Sequence, residues 1–309
     1  SLPRVMTLWP ETAAERHVDY KPEKTSVTYC KPTGVQIDEH SRAIDVVLEN
    51  LPALRTEMAL DFVVVNAENA AHGFGLTGKI CDVLFEAGAD AITTGNHVWD
   101  QREIVSYIDA NPRVLRPLNY SVGTPGQGAS VVKARDGRSV LVVNVMCRLF
   151  MELLDDPFVA LDTVLNQHPL GLNVDAALID IHGEATSEKA ALAHIADGRA
   201  SVVVGTHTHI PTADAQVLPG GTAFQSDAGM CGDYDSVIGM KKDIAVARFR
   251  SKLVSERLSP ATGPATLCAM YVETDDKTGL ATRTSPLVLG GRLRPTWPDF
   301  LPPRRESAE

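Results

Sequence analysis

Residues 176–198, AALIDIHGEATSEKAALAHIADG, hold the pattern that decides the fold. Residues 176–181 are a short and mostly apolar run, which is typical of a buried β-strand. A helix is predicted at 187–197, because its first turn is acidic and Gly198 ends the pattern. His182 lies between the two, where the strand ends. The stretch therefore predicts a strand, a polar residue at its carboxyl end and a helix in direct succession.

The same order recurs along the chain. Helical patterns occupy 77–87 and 102–110, and turn signals at 219–221 and 274–279 predict two hairpins in the last third. Further apolar runs typical of strands are 61–66, 91–94, 139–145 and 201–205. Repeated strand-then-helix order predicts a layered α/β fold.

Composition narrows the class of protein. The chain has 309 residues, 44% of them hydrophobic, and a formal net charge of −10. That charge argues against a general nucleic-acid coat protein, which would be basic. A nucleotide substrate stays compatible with it, because metal ions supply positive charge locally.

Five scattered cysteines with no C-x-x-C spacing argue against a disulfide framework and favour free thiols in a reducing compartment. No apolar run reaches the roughly 18 residues of a membrane span, and residues 1–20 lack the apolar core of a signal peptide. We therefore expect a soluble cytoplasmic protein with no membrane partner.

Polar side chains follow four of the predicted strands directly. Taken singly, each has an ordinary structural explanation, such as a helix cap, a turn or a hydrogen-bonded histidine. As a set, however, they fall where the carboxyl ends of strands converge on one sheet edge. A mixed set of oxygen and nitrogen donors there indicates a transition-metal site. These residues are Glu68, Asn96, His97, His182, His207 and His209.

Two further details strengthen this interpretation. His207 and His209 are two residues apart, and in an extended chain such residues point to the same side. A fifth polar segment, 226–229 (SDAG), follows the first predicted hairpin.

The order of these motifs resembles the calcineurin-like metallophosphoesterases, and within them the YmdB-like phosphodiesterase branch. The resemblance runs from about residue 46 to about residue 300. The motifs that carry it are 66–75 (NAENAAHGFG), 94–99 (TGNHVW), 182–189 (HGEATSEK), 197–212 (DGRASVVVGTHTHIPT) and 222–234 (TAFQSDAGMCGDY).

The resemblance implies a single domain over residues 46–300, a sandwich of two mixed β-sheets flanked by helices (four-layer αββα). Residues 1–45 match the family poorly, and 301–309 are expected to form a loose tail. Two transition-metal ions, iron or manganese, are implied, together with hydrolysis of small phosphodiesters such as 2′,3′-cyclic nucleotides.

The resemblance also implies roles for the site residues. By motif, Glu68 corresponds to the bridging ligand and His209 to a ligand of one metal. The other metal would be bound by three residues: Asn96, His182 and His207. His97 corresponds to the catalytic histidine, the general acid that protonates the leaving alkoxide after attack by a metal-bridging hydroxide.

One expected ligand is missing from the sequence. The family normally begins with an apolar strand that ends in Gly-Asp, and that Asp binds the second metal. The nearest substitute here is Asp38 after the run 34–37 (GVQI), with His40 and Asp45 as weaker candidates. Without a replacement, the metal at His209 would be poorly held and activity should fall.

Three functions therefore stay open at this point. The first is an active phosphodiesterase, the second a catalytically weakened metal-binding regulatory protein, and the third a phosphomonoesterase or nucleotidase. In each case the partner is a small phosphodiester or nucleotide, and homo-oligomer formation is left open. Metal content separates the first two functions, and a panel of substrates separates the first from the third.

Overall fold

The computed structural model describes residues 4–8, 42–251 and 256–304. In these ranges the chain forms two β-sheets flanked by helices. The helices are α1 (Arg42–Glu57), α2 (Gly78–Ala87), α3 (Ile104–Ala110), α4 (Pro157–Gln167), α5 (Thr186–Ala196) and α6 (Lys242–Arg250).

The first sheet combines four parallel strands with an antiparallel group. Its strands are β1 (Arg4–Leu8), β2 (Phe62–Asn66), β3 (Ala91–Thr93), β4 (Val114–Leu115), β11 (Gly232–Asp233), β12 (Ala265–Thr274) and β13 (Ala281–Gly290). The order is β11-β12-β1-β2-β3-β4, and β13 also pairs with β12. β1 to β4 run parallel, whereas β12 is antiparallel to each of its partners.

The second sheet has the same mixed character. Its strands are β5 (Ala129–Lys133), β6 (Ser139–Met146), β7 (Ala176–His182), β8 (Val202–Thr206), β9 (Gln216–Val217) and β10 (Ala223–Gln225). They are ordered β5-β6-β7-β8-β10-β9, with β6, β7, β8 and β10 parallel. β5 and β9 are antiparallel to their neighbours at the two edges.

Three apolar clusters build the layers. The central cluster joins side chains of both sheets, for example Phe62 and Val64 of β2 with Val142 of β6 and Leu178 of β7. A second cluster packs α1 to α3 on the first sheet, and a third packs α4 and α5 on the second. Because each central strand is covered on both sides, its sequence is almost continuously apolar. The four-layer αββα sandwich is confirmed.

The strands and hairpins predicted from the sequence are confirmed, with small shifts at their ends. β12 and β13 form the longer hairpin and β9 and β10 the shorter one. The sequence patterns predicted no strand at Arg4–Leu8, yet β1 lies between β12 and β2 in the sheet. Asp38 and His40 lie outside the described residues, and Asp45 lies in the first turn of α1. The division at residues 45 and 300 stays a prediction.

The described cysteines carry no disulfide. Four cysteines, Cys81, Cys147, Cys231 and Cys268, are buried and unbridged, and Cys30 lies outside the described residues. Across the ranges the structure describes, no helix is both long and apolar enough to traverse a lipid bilayer.

Candidate metal centre

The predicted polar residues meet where the carboxyl ends of strands from both sheets come together. β2 and β3 belong to the first sheet and β7 and β8 to the second. Asp180 of β7 joins them: it accepts hydrogen bonds from Asn66 Nδ2 (2.8 Å), from Thr93 Oγ1 and from Thr206 Oγ1 (2.6 Å). Burial raises the pKa of Asp180, although these hydrogen bonds counteract part of the effect. The carboxyl group therefore ties four strand ends to one point.

Four donor atoms converge beside this point. His182 Nε2 lies 3.1 Å from Glu68 Oε2, 2.9 Å from Asn96 Oδ1 and 3.1 Å from His207 Nδ1. Glu68 and His182 are completely buried. Two ligand atoms about 2.1 Å from one cation and at right angles to each other lie about 3 Å apart. The spacing around His182 Nε2 therefore matches neighbouring ligands of a single metal ion.

The protonation states suit metal binding. Burial acts to raise the pKa of Glu68, but His182 and the amide of His97 outweigh it and lower this pKa to about 2. Burial first, and then the nearby His182, lowers the pKa of His207 to about 3. At neutral pH the carboxylate is therefore charged and the imidazole is neutral, which are the forms that bind cations.

Gly95 leaves room between the donors. A Cβ atom on Gly95 would collide with His182 Nε2 and would lie 2.5 Å from Glu68 Oε1. The side chains present therefore enclose a space that any other residue at position 95 would fill. Together with the donor chemistry, this space fits a metal ion.

Outer hydrogen bonds orient both imidazole rings. Thr206 Oγ1 donates to Asp180, so it accepts from His182 Nδ1 at 3.1 Å, which leaves the lone pair on His182 Nε2. His207 Nε2 lies 3.3 Å from Glu184 Oε2, while Nδ1 faces the other donors. Carboxylate and hydroxyl partners of this kind fix the tautomer of metal-binding histidines.

His97 lies at the rim of this group. Its amide donates to Glu68 Oε1 at 2.9 Å, and its ring Nδ1 lies 2.8 Å from Asp100 Oδ2. Phe74 packs edge-on against the ring, with 5.2 Å between centroids. The ring, one third exposed, is thus oriented by a carboxylate on one side and an aromatic side chain on another.

His209 is placed on the same loop but outside the converging group. Among the described residues, the close cluster of carboxylate and histidine donors comprises Glu68, His182 and His207, with ligand atoms within 4.8 Å of one another. His209 Nδ1 lies 3.0 Å from Ile238 O, an interaction in which the ring nitrogen donates and Nε2 keeps the lone pair.

Several supporting residues were not predicted from the sequence. Asp100 stands three residues after His97, a spacing that brings two side chains together in a turn. Asp180 is the one acid in an otherwise apolar strand, and Glu184 lies two residues after His182 in the motif 182–189. A buried acid in such a strand signals a hydrogen-bond network. No sequence signal identified its partners in the other sheet.

Comparison with known proteins places the chain in a family. A family model described as YmdB-like protein matches residues 40–287. The chain is 44% identical over 245 residues to a protein of Bacillus subtilis (strain 168) named 2′,3′-cyclic-nucleotide 2′-phosphodiesterase. This alignment covers 79% of the chain and 91% of the relative.

Two solved structures share the fold. A hypothetical protein from Thermus thermophilus superposes with a TM-score of 0.77 at 38% identity, covering 94% of this chain and all of that one. A structure described as a novel phosphatase of Mycoplasma pneumoniae superposes with a TM-score of 0.77 at 26% identity, covering 94% of each chain.

Proposed function

The chain belongs to the YmdB-like family, and from that premise we propose that it is a metal-dependent phosphodiesterase acting on 2′,3′-cyclic nucleotides. The substrate class rests on the name of the Bacillus subtilis relative, which shares 44% of aligned residues over most of its length. The observation that carries the chemistry is the set of three contacts near 3 Å around His182 Nε2.

In this proposal Glu68, Asn96, His182 and His207 hold one ion, and Glu68 and His209 take part in holding a second. The bound ions would lower the pKa of a water molecule and neutralise the phosphate oxygens. Iron or manganese is our choice of metal, because the family resemblance implies these ions and mixed carboxylate, amide and imidazole donors accept them.

His97 has the role of general acid. As the P–O bond to water forms, the bond from phosphorus to a ribose oxygen breaks, and that oxygen needs a proton. The protonated ring of His97 would supply it, and Asp100 holds the ring in place through Nδ1 (2.8 Å). The hydrogen bond from the backbone amide of His97 to Glu68 Oε1 keeps the backbone of the general acid beside the carboxylate proposed to bind metal.

The partner in this proposal is a small phosphodiester, and the location is the cytoplasm. The four described cysteines are buried and unbridged, which agrees with a reducing compartment. The formal net charge of −10 disfavours general binding to nucleic acids.

Metal analysis paired with a substrate panel tests the proposal. Freshly purified protein is assayed for metal content and for hydrolysis of 2′,3′-cyclic nucleotides, bis-p-nitrophenyl phosphate and nucleoside monophosphates. About two ions per chain and turnover of the cyclic diesters support it. Turnover of monoesters alone favours a phosphomonoesterase, as the name of the Mycoplasma pneumoniae structure suggests for that protein. Absent turnover with one ion or none favours a regulatory metal-binding protein.

A single substitution tests the general acid. We expect His97→Ala to lower turnover about 100-fold or more while metal content stays near the wild-type value, because the ring donates a proton without holding an ion. His194→Ala is the matched control, since His194 is exposed on α5. Unchanged turnover in His97→Ala would remove this residue from the mechanism.

A further inference from the structure

The loop that carries His207 and His209 has an unusual backbone. His207 has φ 101° and His209 has φ 67°, both in the left-handed region that non-glycine residues seldom adopt. Residues persist in such conformations only where their surroundings hold them there. Two buried side chains, Lys189 and Asp227, hold residues 206–209.

Asp227 holds the loop from one side. Its Oδ2 accepts hydrogen bonds from the amide of Thr208 (3.0 Å) and from the hydroxyl of Thr208 (2.8 Å). Its Oδ1 accepts from the amide of Gly229 at 3.0 Å, so the carboxylate is itself oriented. Asp227 thus accepts hydrogen bonds from both donors of Thr208, the residue that separates the two histidines.

Lys189 holds the loop from the other side. Its ammonium group donates to the carbonyl oxygen of Thr206 (3.1 Å) and to Asp227 Oδ2 (3.0 Å). The side chains of Lys189 and Asp227 are each only 1% exposed. The lysine stem lies against β8, where a Cβ on Gly205 would come within 2.8 Å of Lys189 Cδ. The two neighbours of His207, Thr206 and Thr208, are therefore both hydrogen-bonded to one buried ion pair.

We propose that the Lys189–Asp227 ion pair is a positioning device for the metal-binding loop. By holding the carbonyl before His207 and the amide after it, the pair keeps His207 Nδ1 beside His182 Nε2. A buried ion pair adds little to the free energy of unfolding, because the cost of removing both charges from water offsets their attraction. Positioning of the loop therefore explains the presence of this pair better than stability does. The inference rests on the proposed function in one respect, namely that the site binds a metal ion.

The test measures metal affinity in the folded, metal-free protein. Lys189→Met combined with Asp227→Asn removes both charges while roughly keeping side-chain volume. Titration with Co²⁺, followed by visible absorption, reports both affinity and ligand geometry. We expect the double variant to bind Co²⁺ about 10- to 100-fold more weakly, with an altered spectrum, as is typical when partners of metal ligands are removed.

A second buried ion pair supplies the control. Arg55 and Asp90 are 2.6 Å apart, are 6% and 11% exposed, and join α1 to the start of β3. Arg55→Met combined with Asp90→Asn removes a buried pair from a place away from the histidine loop. A merely structural role for Lys189 and Asp227 predicts that both double variants lose stability and that both keep wild-type Co²⁺ affinity.

Thr208 gives a milder test that does not depend on the folding of the double variant. Thr208→Val removes the hydroxyl donor to Asp227 and should weaken Co²⁺ binding several-fold, whereas Thr208→Ser keeps the donor and should restore it. Wild-type affinity and spectrum in both the double variant and Thr208→Val would overturn this inference alone. Absence of metal uptake by the wild-type chain would overturn the proposed function together with it.

Discussion

At the scale of single residues, the site depends on a position that has no side chain. Gly95 follows β3 and faces Glu68 and His182, and its missing Cβ leaves the space between them. The donor atoms lie at four strand ends. The side chains of Glu68 and His182 are fully buried, so they have no free space into which they could move aside. The smallest possible addition at position 95 therefore competes directly with a cation.

Gly95→Ala should abolish metal binding. The new methyl group would occupy the space between Glu68 Oε1 and His182 Nε2, and well-packed interiors tolerate such additions poorly. Elemental analysis after loading with Mn²⁺ measures the loss. Gly123→Ala is the control for metal content, since a Cβ at Gly123 meets nothing within 4 Å; its φ of 90° should cost this variant stability without affecting the donors. Full metal content in Gly95→Ala would contradict the placement of the ion beside Gly95.

The lowered pKa of His207 predicts how stability depends on pH. Folded His207 takes up a proton only near pH 3, whereas the unfolded residue does so near its ordinary pKa of 6.5. Its contribution is fully present above pH 6.5 and is lost progressively as the pH falls toward 3. For one proton the slope is about 1.4 kcal/mol per pH unit.

Urea unfolding of the metal-free protein between pH 7 and pH 5 measures this slope. Glu68, with a folded pKa of about 2 against an ordinary 4.5, adds to the slope only at lower pH. His207→Gln should therefore flatten the dependence, chiefly between about pH 6.5 and pH 5. Equal slopes for the variant and the wild type would show that His207 titrates normally in the folded state.

At the scale of elements, short sequence signals decide where helices begin and end. Thr77 precedes α2, and its hydroxyl accepts a hydrogen bond from the amide of Ile80 at 3.3 Å. Gly88 ends the same helix with φ 119°, a left-handed conformation that glycine adopts without cost. The loop before α2 carries Glu68, so the start of this helix lies close in sequence to the site.

Thr77→Ala should lower the free energy of unfolding by about 1 kcal/mol, the usual cost of losing an N-terminal cap. Thr77→Ser keeps the hydroxyl and should lie close to the wild type. Urea denaturation compares the three proteins. A loss in Thr77→Ser as large as that in Thr77→Ala would show that the threonine methyl group, rather than the cap, supplies the stability.

At the scale of the whole molecule, burial by the four layers protects every described cysteine. Burial raises the pKa of Cys147 and of Cys268 to about 12, and it raises the pKa of Cys81 as well. Cys231 is fully buried beside β12. A protonated thiol without access to solvent is a poor nucleophile.

We therefore expect these four thiols to resist alkylation by iodoacetamide at pH 8 and to react once the chain is unfolded in guanidinium chloride. Peptide mapping by mass spectrometry assigns the label to each position and treats Cys30 separately. Rapid labelling of Cys147 or Cys231 in the native protein would contradict the packing of α5 on the second sheet or of α1 on the first.

Sequence patterns alone were enough to locate the central strands and the polar motifs that follow them. Runs such as 201–205 predict buried strands because both faces of a central strand are covered, and the polar residues after them predict a site because parallel strands end at one edge. These signals are local, since each is contained in a few consecutive residues.

Only the tertiary structure showed the strand β1 and the long-range hydrogen bonds that hold those motifs. β1 at Arg4–Leu8 is recognisable only from its pairing with β2 and β12, because its own five residues carry no strong pattern. Asp180 acquires its partners from β2, β3 and β8, and Asp227 meets Lys189 across 38 positions of sequence. Contacts between distant residues depend on the packing of whole layers, and no periodicity within one segment specifies which buried acid will meet which buried base.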